Sequence, residues 1–261
     1  MFRALATAAS GMEAQQTKLD VTANNIANVS TNGFKKSHAE FADLMYQQVR
    51  AGGAPTGQGT MAPTATEIGL GTRLVSTARD IGQGELHSTN GPLDVAIEGN
   101  GYLPVTLPSG ETAYTRNGAL HLTAEGRLVN ADGFNIGDIT VPPEAEQVTI
   151  AADGTVSAKL AGGSQVSELG KIQLATFANP AGLSSRGNNL LAETPASGTA
   201  VLGTPGEGGA GALRQGMLEV SNVNVVEEMI DLISGQRAYE INSRVIKAAD
   251  EMLSQVNNLV R

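Results

Sequence analysis

The sequence predicts an α+β fold in which N- and C-terminal helices pair as a coiled coil and a central all-β domain lies between them. Three observations carry this. All ten prolines fall between Pro55 and Pro205. Both proline-free ends repeat an apolar residue every seventh position. The middle alternates in short runs broken by Asn-Gly, Glu-Gly and Asp-Gly pairs, as in successive hairpins.

The first element, residues 1–32, carries Leu5, Met12, Leu19 and Ile26. A sevenfold spacing keeps one narrow apolar stripe on one helix face, the seam of a coiled coil. Ala4, Ala8, Ala9, Gly11, Ala23 and Ala27 let another helix approach closely. Asn32-Gly33 predicts a left-handed C-terminal stop. Lys35 and Lys36, just beyond it, read as cations suited to a helix C-terminus.

The last element, residues 221–261, repeats the pattern with Val225, Leu232, Tyr239, Ile246, Leu253 and Val260. Asn224 followed by Glu227 resembles a capping box with Asn in place of Ser or Thr. A helix of roughly 35 residues is about 50 Å long at 1.5 Å per residue, and the N-terminal one about 40 Å. Each end has one stripe and few other large apolar residues. Pairing hides the stripes from water but leaves no self-sufficient core, so further copies of the chain are expected to make the pair rigid. Periodicity alone equally allows an ordinary helical hairpin packed on the central domain.

Residues 33–80 are expected to be a linker and an extended arm. From Ala51 to Thr72 the only charged residue is Glu67, and the stretch is rich in Gly, Thr and Pro, which excludes a helix. The arm proper covers 46–72, a length at which irregular segments are often functional. Residues 81–220 read as a single β-rich outer domain. Asn117-Gly118, Glu125-Gly126, Asp132-Gly133 and Asp153-Gly154 mark its turns.

Composition narrows the chemistry. Hydrophobic residues make up 41% of the 261 positions, so a packed fold is expected. With nine aromatics, no Trp and 32 Gly, that core must use small aliphatic side chains. A net charge of −9 disfavours nucleic acid, whose binding needs clustered Lys and Arg. The absence of Cys excludes disulfides, thiolate metal sites and thiol catalysis. The first residues read as an amphipathic helix and not as a cleavable signal, and no apolar run of about 18 residues is present to span a membrane.

No catalytic, cofactor or metal site is predicted. His38, His87 and His121 are far apart and match no ligand spacing. Gly69-Leu70-Gly71-Thr72 lacks the third glycine of a dinucleotide fingerprint, and the Gly206–Gly211 run has no following Lys-Ser or Lys-Thr; both read as loops. Glu227-Glu228 and Asp250-Glu251 are neighbours in sequence, which do not face each other on a helix, so they read as solvated charge. No small-molecule substrate is implied.

The ends also carry motifs. Ser10-Gly11-Met12 precedes a run from Asn24 to Lys36 that includes Asn25, Asn28, Gly33 and Phe34. Near the other end stand Leu218-Glu219-Val220-Ser221-Asn222 and Gln236-Arg237-Ala238-Tyr239. Asp94–Tyr102 and Tyr114-Thr115-Arg116-Asn117-Gly118 lie between. In this order, end to end, they resemble the flagellar axial family of rod, hook and hook-junction proteins. Within it, the length, the Gln236–Ser243 stretch and the arm point to the distal part of the rod, with a proximal rod subunit as the alternative. The sequence departs at Tyr102-Leu103-Pro104, where the family often has two aromatics, and Pro104 suggests an edge strand or a strand end.

The resemblance implies a structural subunit, not an enzyme. Such a subunit would leave the cytoplasm unfolded through the flagellar type III export apparatus, without a cleaved signal peptide. It would stack helically with copies of itself into a hollow periplasmic shaft, paired helices inside and β domain outside. It would meet proximal rod and hook proteins and turn within the ring bushing proteins.

Overall fold

A computed structural model describes residues 2–53, 55–57, 60–160 and 166–259. The chain is α+β and forms two compact units. One comprises residues 1–26, 37–78 and 224–261; the other comprises 27–36 and 79–223.

The first unit holds both helices. Helix α1 runs Phe2–Ala27 and so ends before the Asn32-Gly33 stop. The turn that follows is local: the Thr31 N–H donates to the Asn28 carbonyl at 3.1 Å and the Thr31 hydroxyl to the Asn28 side chain at 3.2 Å. Asn and Thr offer the backbone these alternatives to a further helical turn. Helix α2 runs Val225–Leu259, 35 residues or about 50 Å. Asn224 caps it, its Oδ1 accepting from the Val226 N–H at 3.1 Å, and Glu227 and Glu228 sit in the first turn, where the helix dipole favours anions. In the same unit the segment read as linker and extended arm forms a β-ribbon. Ser37–Asp43 pairs with Thr72–Arg79, then Tyr46–Arg50 lies antiparallel to Thr66–Gly69 with Tyr46 opposite Gly69. Pro55–Gly57 and Thr60–Met61 pair near the tip.

The second unit is β-rich. Its largest sheet has seven strands in the order Leu120–Leu122, Arg127–Asn130, Asn135–Thr140, Leu103–Thr106, Thr112–Thr115, Leu190–Ala192 and Ser184–Gly187. A three-stranded meander, Ala145–Ile150, Thr155–Leu160 and Val166–Lys171, stands beside it in the same unit. The core is aliphatic, as the scarcity of aromatics requires: Ile97, Leu103, Val105, Val156, Leu174 and Leu213 are all 2% exposed or less. Burying each such side chain is worth roughly 1.5–3 kcal/mol.

Glu125-Gly126, Asp132-Gly133 and Asp153-Gly154 each link consecutive paired strands. Asn117-Gly118 does not, because Thr112–Thr115 and Leu120–Leu122 are not neighbours in the sheet. Gly118 instead lies against the Val95 backbone, leaving no room for a Cβ, and its carbonyl accepts from the Val95 N–H at 2.9 Å. Pro104 sits in a strand flanked on both sides. Asn135–Thr140 meets that strand only at Thr106, so Pro104 lies beyond the pairing and its missing N–H costs no ladder bond.

Candidate functional site

In the first unit the two helices meet antiparallel. Lys18 Nζ bonds Asp231 Oδ1 at 2.7 Å, and Asn25 Nδ2 bonds Glu228 Oε2 at 3.1 Å. A Cβ on Gly235 would stand 3.0 Å from the Leu19 side chain, and one on Gly11 would stand 3.0 Å from Asn242. As the number falls on α1 it rises on α2.

The sequence-predicted apolar positions divide on this arrangement. Leu5, Met12, Leu19 and Ile26 are half-buried, as are Leu232, Ile246 and Leu253. Val225 and Tyr239 are exposed, at 39% and 41%, and Val260 lies outside the described residues. The deepest positions are small or polar: Ala8, Ala14, Thr22 and Asn25 on α1, with Glu228, Gly235 and Ala249 on α2. Ala8, Thr22, Glu228, Gly235 and Ala249 fall three residues beyond the apolar repeat positions, where the other half of a heptad seam belongs.

A further feature of α2 goes beyond the single expected stripe. Val226, Ile230 and Ile233 are 49–66% exposed and recur at helical spacing on the face opposite Glu228 and Gly235, and Ile241 and Val245 further along are 57% and 44% exposed. Met45, Tyr46, Val49 and Met61 of the ribbon are likewise 56–85% exposed. An exposed apolar patch such as Val226, Ile230 and Ile233 form on one helix face commonly marks an interaction surface.

Ser10-Gly11 sits where the ribbon crosses α1. Thr72 donates its N–H to Ser10 Oγ at 3.4 Å, and Gly71, at φ +117°, packs on Thr7 and Ser10 with no space for a side chain. Asn25 reaches the ribbon as well: its Nδ2 donates to the Ser37 carbonyl at 2.8 Å and its Oδ1 accepts from the Ser37 N–H at 3.0 Å. Asn24, Gln236 and Arg237 are exposed.

The remaining motifs converge in the second unit on a buried ion cluster. Glu219, with a side chain 1% exposed, takes Lys35 Nζ on Oε1 at 2.5 Å and Arg116 Nε on Oε2 at 2.6 Å. Oε1 also accepts the Gly84 N–H at 2.8 Å. Arg116 spends its other donors on the carbonyls of Gly101, at 2.7 Å, and Gly99, at 2.6 Å. Lys35 adds the Gly82 carbonyl at 2.7 Å. Burial alone would raise the Glu219 carboxyl, but Arg116 and Lys35 together outweigh it and hold its pKa below the ordinary value. Burial lowers the Lys35 ammonium despite Glu219 beside it. Lys35 is therefore a buried ion-pair partner and not a helix-terminal charge.

Asn222 joins the same place. Its Oδ1 accepts from the Lys36 N–H at 2.8 Å, and its Nδ2 donates to the carbonyls of Asp80 and Gly82 at 3.2 and 3.1 Å. Gly33 is in the left-handed region, φ +70°, and a Cβ there would fall 2.7 Å from the Arg116 backbone. That explains glycine at this position better than a helix stop does. Phe34 is half-buried, and buried Ser221 accepts the Val223 N–H on its Oγ at 3.3 Å.

No group of His, Cys, Asp and Glu able to hold a metal occurs among the described residues, and none of their helices is long and apolar enough to cross a membrane. Tyr102 and Tyr114 are about 5% exposed and pack edge-on against Phe177, with ring centres 5.9 and 4.9 Å apart, so they form no open platform for stacking a sugar.

A two-helix unit with exposed apolar side chains and a β-rich unit whose buried ion cluster binds only protein groups fit a structural class of protein. Three family models match along the chain: a flagella basal body rod protein model over residues 5–35, a flagellar hook protein FlgE/F/G D1 domain over 96–158, and a flagellar basal body rod FlgEFG protein C-terminal region over 214–259. The flagellar basal-body rod protein FlgG of Borreliella burgdorferi is 47% identical over 264 residues, covering 100% of both chains. That of Caulobacter vibrioides is 48% identical over 99% of each, and that of Bacillus subtilis 41% identical over 100% of each. The chain belongs to the flagellar basal-body rod protein family. It is a structural subunit of the distal rod in the periplasm-spanning basal body, not an enzyme, and membership implies assembly with other axial components.

Proposed function

We propose that α1 and α2 pair as an antiparallel coiled coil which becomes rigid only when neighbouring copies cover its outer face. The observation that carries this is the exposed apolar set on α2: Val226, Ile230 and Ile233 on the side turned away from buried Glu228 and Gly235, with Ile241 and Val245 exposed further along. Covering such a set removes apolar surface from water at roughly 25 cal/mol per Å². The seam positions Leu5, Met12, Leu19, Ile26, Val225, Leu232, Tyr239, Ile246, Leu253 and Val260 form half of the assembly interface. The helical stack makes a hollow shaft that carries motor torque to the hook, resisted by many such contacts in parallel. Proximal rod and hook proteins bound it at its ends, ring bushing proteins surround it, and the type III export apparatus delivers it. The ribbon at 46–72 contacts adjacent copies and stiffens the shaft.

The test is Ile233→Asp plus Ile241→Asp in the full chain. Both residues are exposed in the single chain, so the monomer keeps its fold and its circular dichroism while polymerisation is lost. Shafts of normal yield from this variant would overturn the reading.

A further inference from the structure

The chain passes between its two units four times, near residues 26, 36, 78 and 223. Within the second unit, the residues next to the last three of these passages are cross-linked to one another. Lys36 accepts the Asp80 N–H on its carbonyl at 2.8 Å, and Asn222 bonds Lys36, Asp80 and Gly82 through its side-chain amide. The Gly33 N–H donates to the Glu219 carbonyl at 2.8 Å, and Val220 donates to Glu85 at 2.9 Å. Glu219 then binds Lys35, Gly84 and Arg116, and Arg116 is rooted in the Gly99 and Gly101 carbonyls next to the aliphatic core.

We propose that Glu219 and Asn222, with Lys35 and Arg116, act as positioning residues for torque transmission, forming a clamp that shares load among the passages near residues 36, 78 and 223. Without cross-links, force on one passage would peel that segment from its end, breaking hydrogen bonds one at a time. With them, force arriving at Asp80 is passed sideways to residues 33–36 and 219–222 and inward through Arg116. The bonds then break together or not at all. Burial suits this role, because charge-assisted bonds shielded from water and salt are about twice as strong as neutral ones. The inference rests on the shaft reading, since only a torque-bearing subunit needs a load path, but the clamp's mechanics belong to the single chain.

The experiment is single-molecule pulling on the monomer. The chain has no cysteine, so Thr77→Cys and Ser109→Cys give unique handles, one in each unit and both exposed. Pulled there at constant force, the chain with an intact clamp is expected to hold until the second unit unfolds in one step. Glu219→Ala should add an early, short extension as residues 80–88 peel away, at a rate raised roughly a hundredfold, as expected when a buried ion pair loses a member. Asn222→Ala keeps the ion cluster and folds without a buried orphan charge. It should show the same early step with its rate raised roughly tenfold, for three lost hydrogen bonds. Val156→Ala, which hollows the core far from the clamp in sequence, should weaken the final step and add no early one. Absence of the early step in both clamp variants, or its presence in Val156→Ala, would overturn the proposal. Because no assembly is involved, loss of the clamp signature and loss of polymerisation are separate results.

Discussion

Asn25 and Glu228 are 203 residues apart in sequence and bonded at 3.1 Å in the fold, with Asn25 2% exposed and Glu228 8% exposed. The same amide also holds Ser37 at the start of the ribbon. One short side chain thus ties α1, α2 and the ribbon together. Asn25→Ala leaves a buried carboxylate with one donor fewer, which costs about 1–3 kcal/mol. Hydrogen exchange should quicken around residues 22–26 and 228–232 and stay unchanged in the β-rich unit.

Two glycines separate the units by mutation. Gly71→Ala puts a methyl against Ser10 at φ +117°, whereas Gly118→Ala puts one into the Val95 backbone. Each should cost about 2 kcal/mol or more, since neither site has room to relax. Limited proteolysis is expected to release the helices in the first variant and to attack the β-rich unit in the second.

Acid should weaken the β-rich unit through Glu219. Its folded pKa lies below the ordinary carboxylate value because Arg116 and Lys35 outweigh the cost of burial. A depressed carboxylate adds stability that is present above the unfolded value, about 4.3, and is lost as pH falls through the folded value. Thermal melts should therefore drop below about pH 4. Glu219→Gln should melt lower at neutral pH and show a shallower acid slope.

Leu232→Asp plus Leu253→Asp places carboxylates on the half-buried side of α2. Assembly should fail while the β-rich unit keeps its melting temperature to within a few degrees, since the two substitutions lie outside it. Normal shafts would count against the coiled-coil reading.

The two helices, the β-rich middle and three of the four hairpin turns were legible in the sequence, because each rests on a local period or a local turn residue. Half of the helix contact was not. Ala8, Thr22, Gly235 and Ala249 are small or polar, so hydrophobic periodicity passes over them although they permit the closest approach. The ribbon was hidden because Tyr46–Arg50 and Thr66–Gly69 are exposed along their whole length, so no alternation of apolar and polar residues marks them as strands. The ion cluster was hidden for another reason. Lys35 and Glu219 stand 184 residues apart, and nothing local distinguishes a lysine that ends up buried from one that favours a helix end. The resemblance of motifs marked those stretches without saying why they are there; burial of Glu219 among them supplies the cause.

The most direct measurement is amide hydrogen exchange along α2, taken on the dilute monomer and on assembled shafts. Exchange at residues 226–253 is expected to be fast in the monomer compared with the aliphatic β core, and to slow by several orders of magnitude on assembly. Helices already as protected in the dilute monomer as in the shaft would contradict the claim that neighbouring copies make them firm.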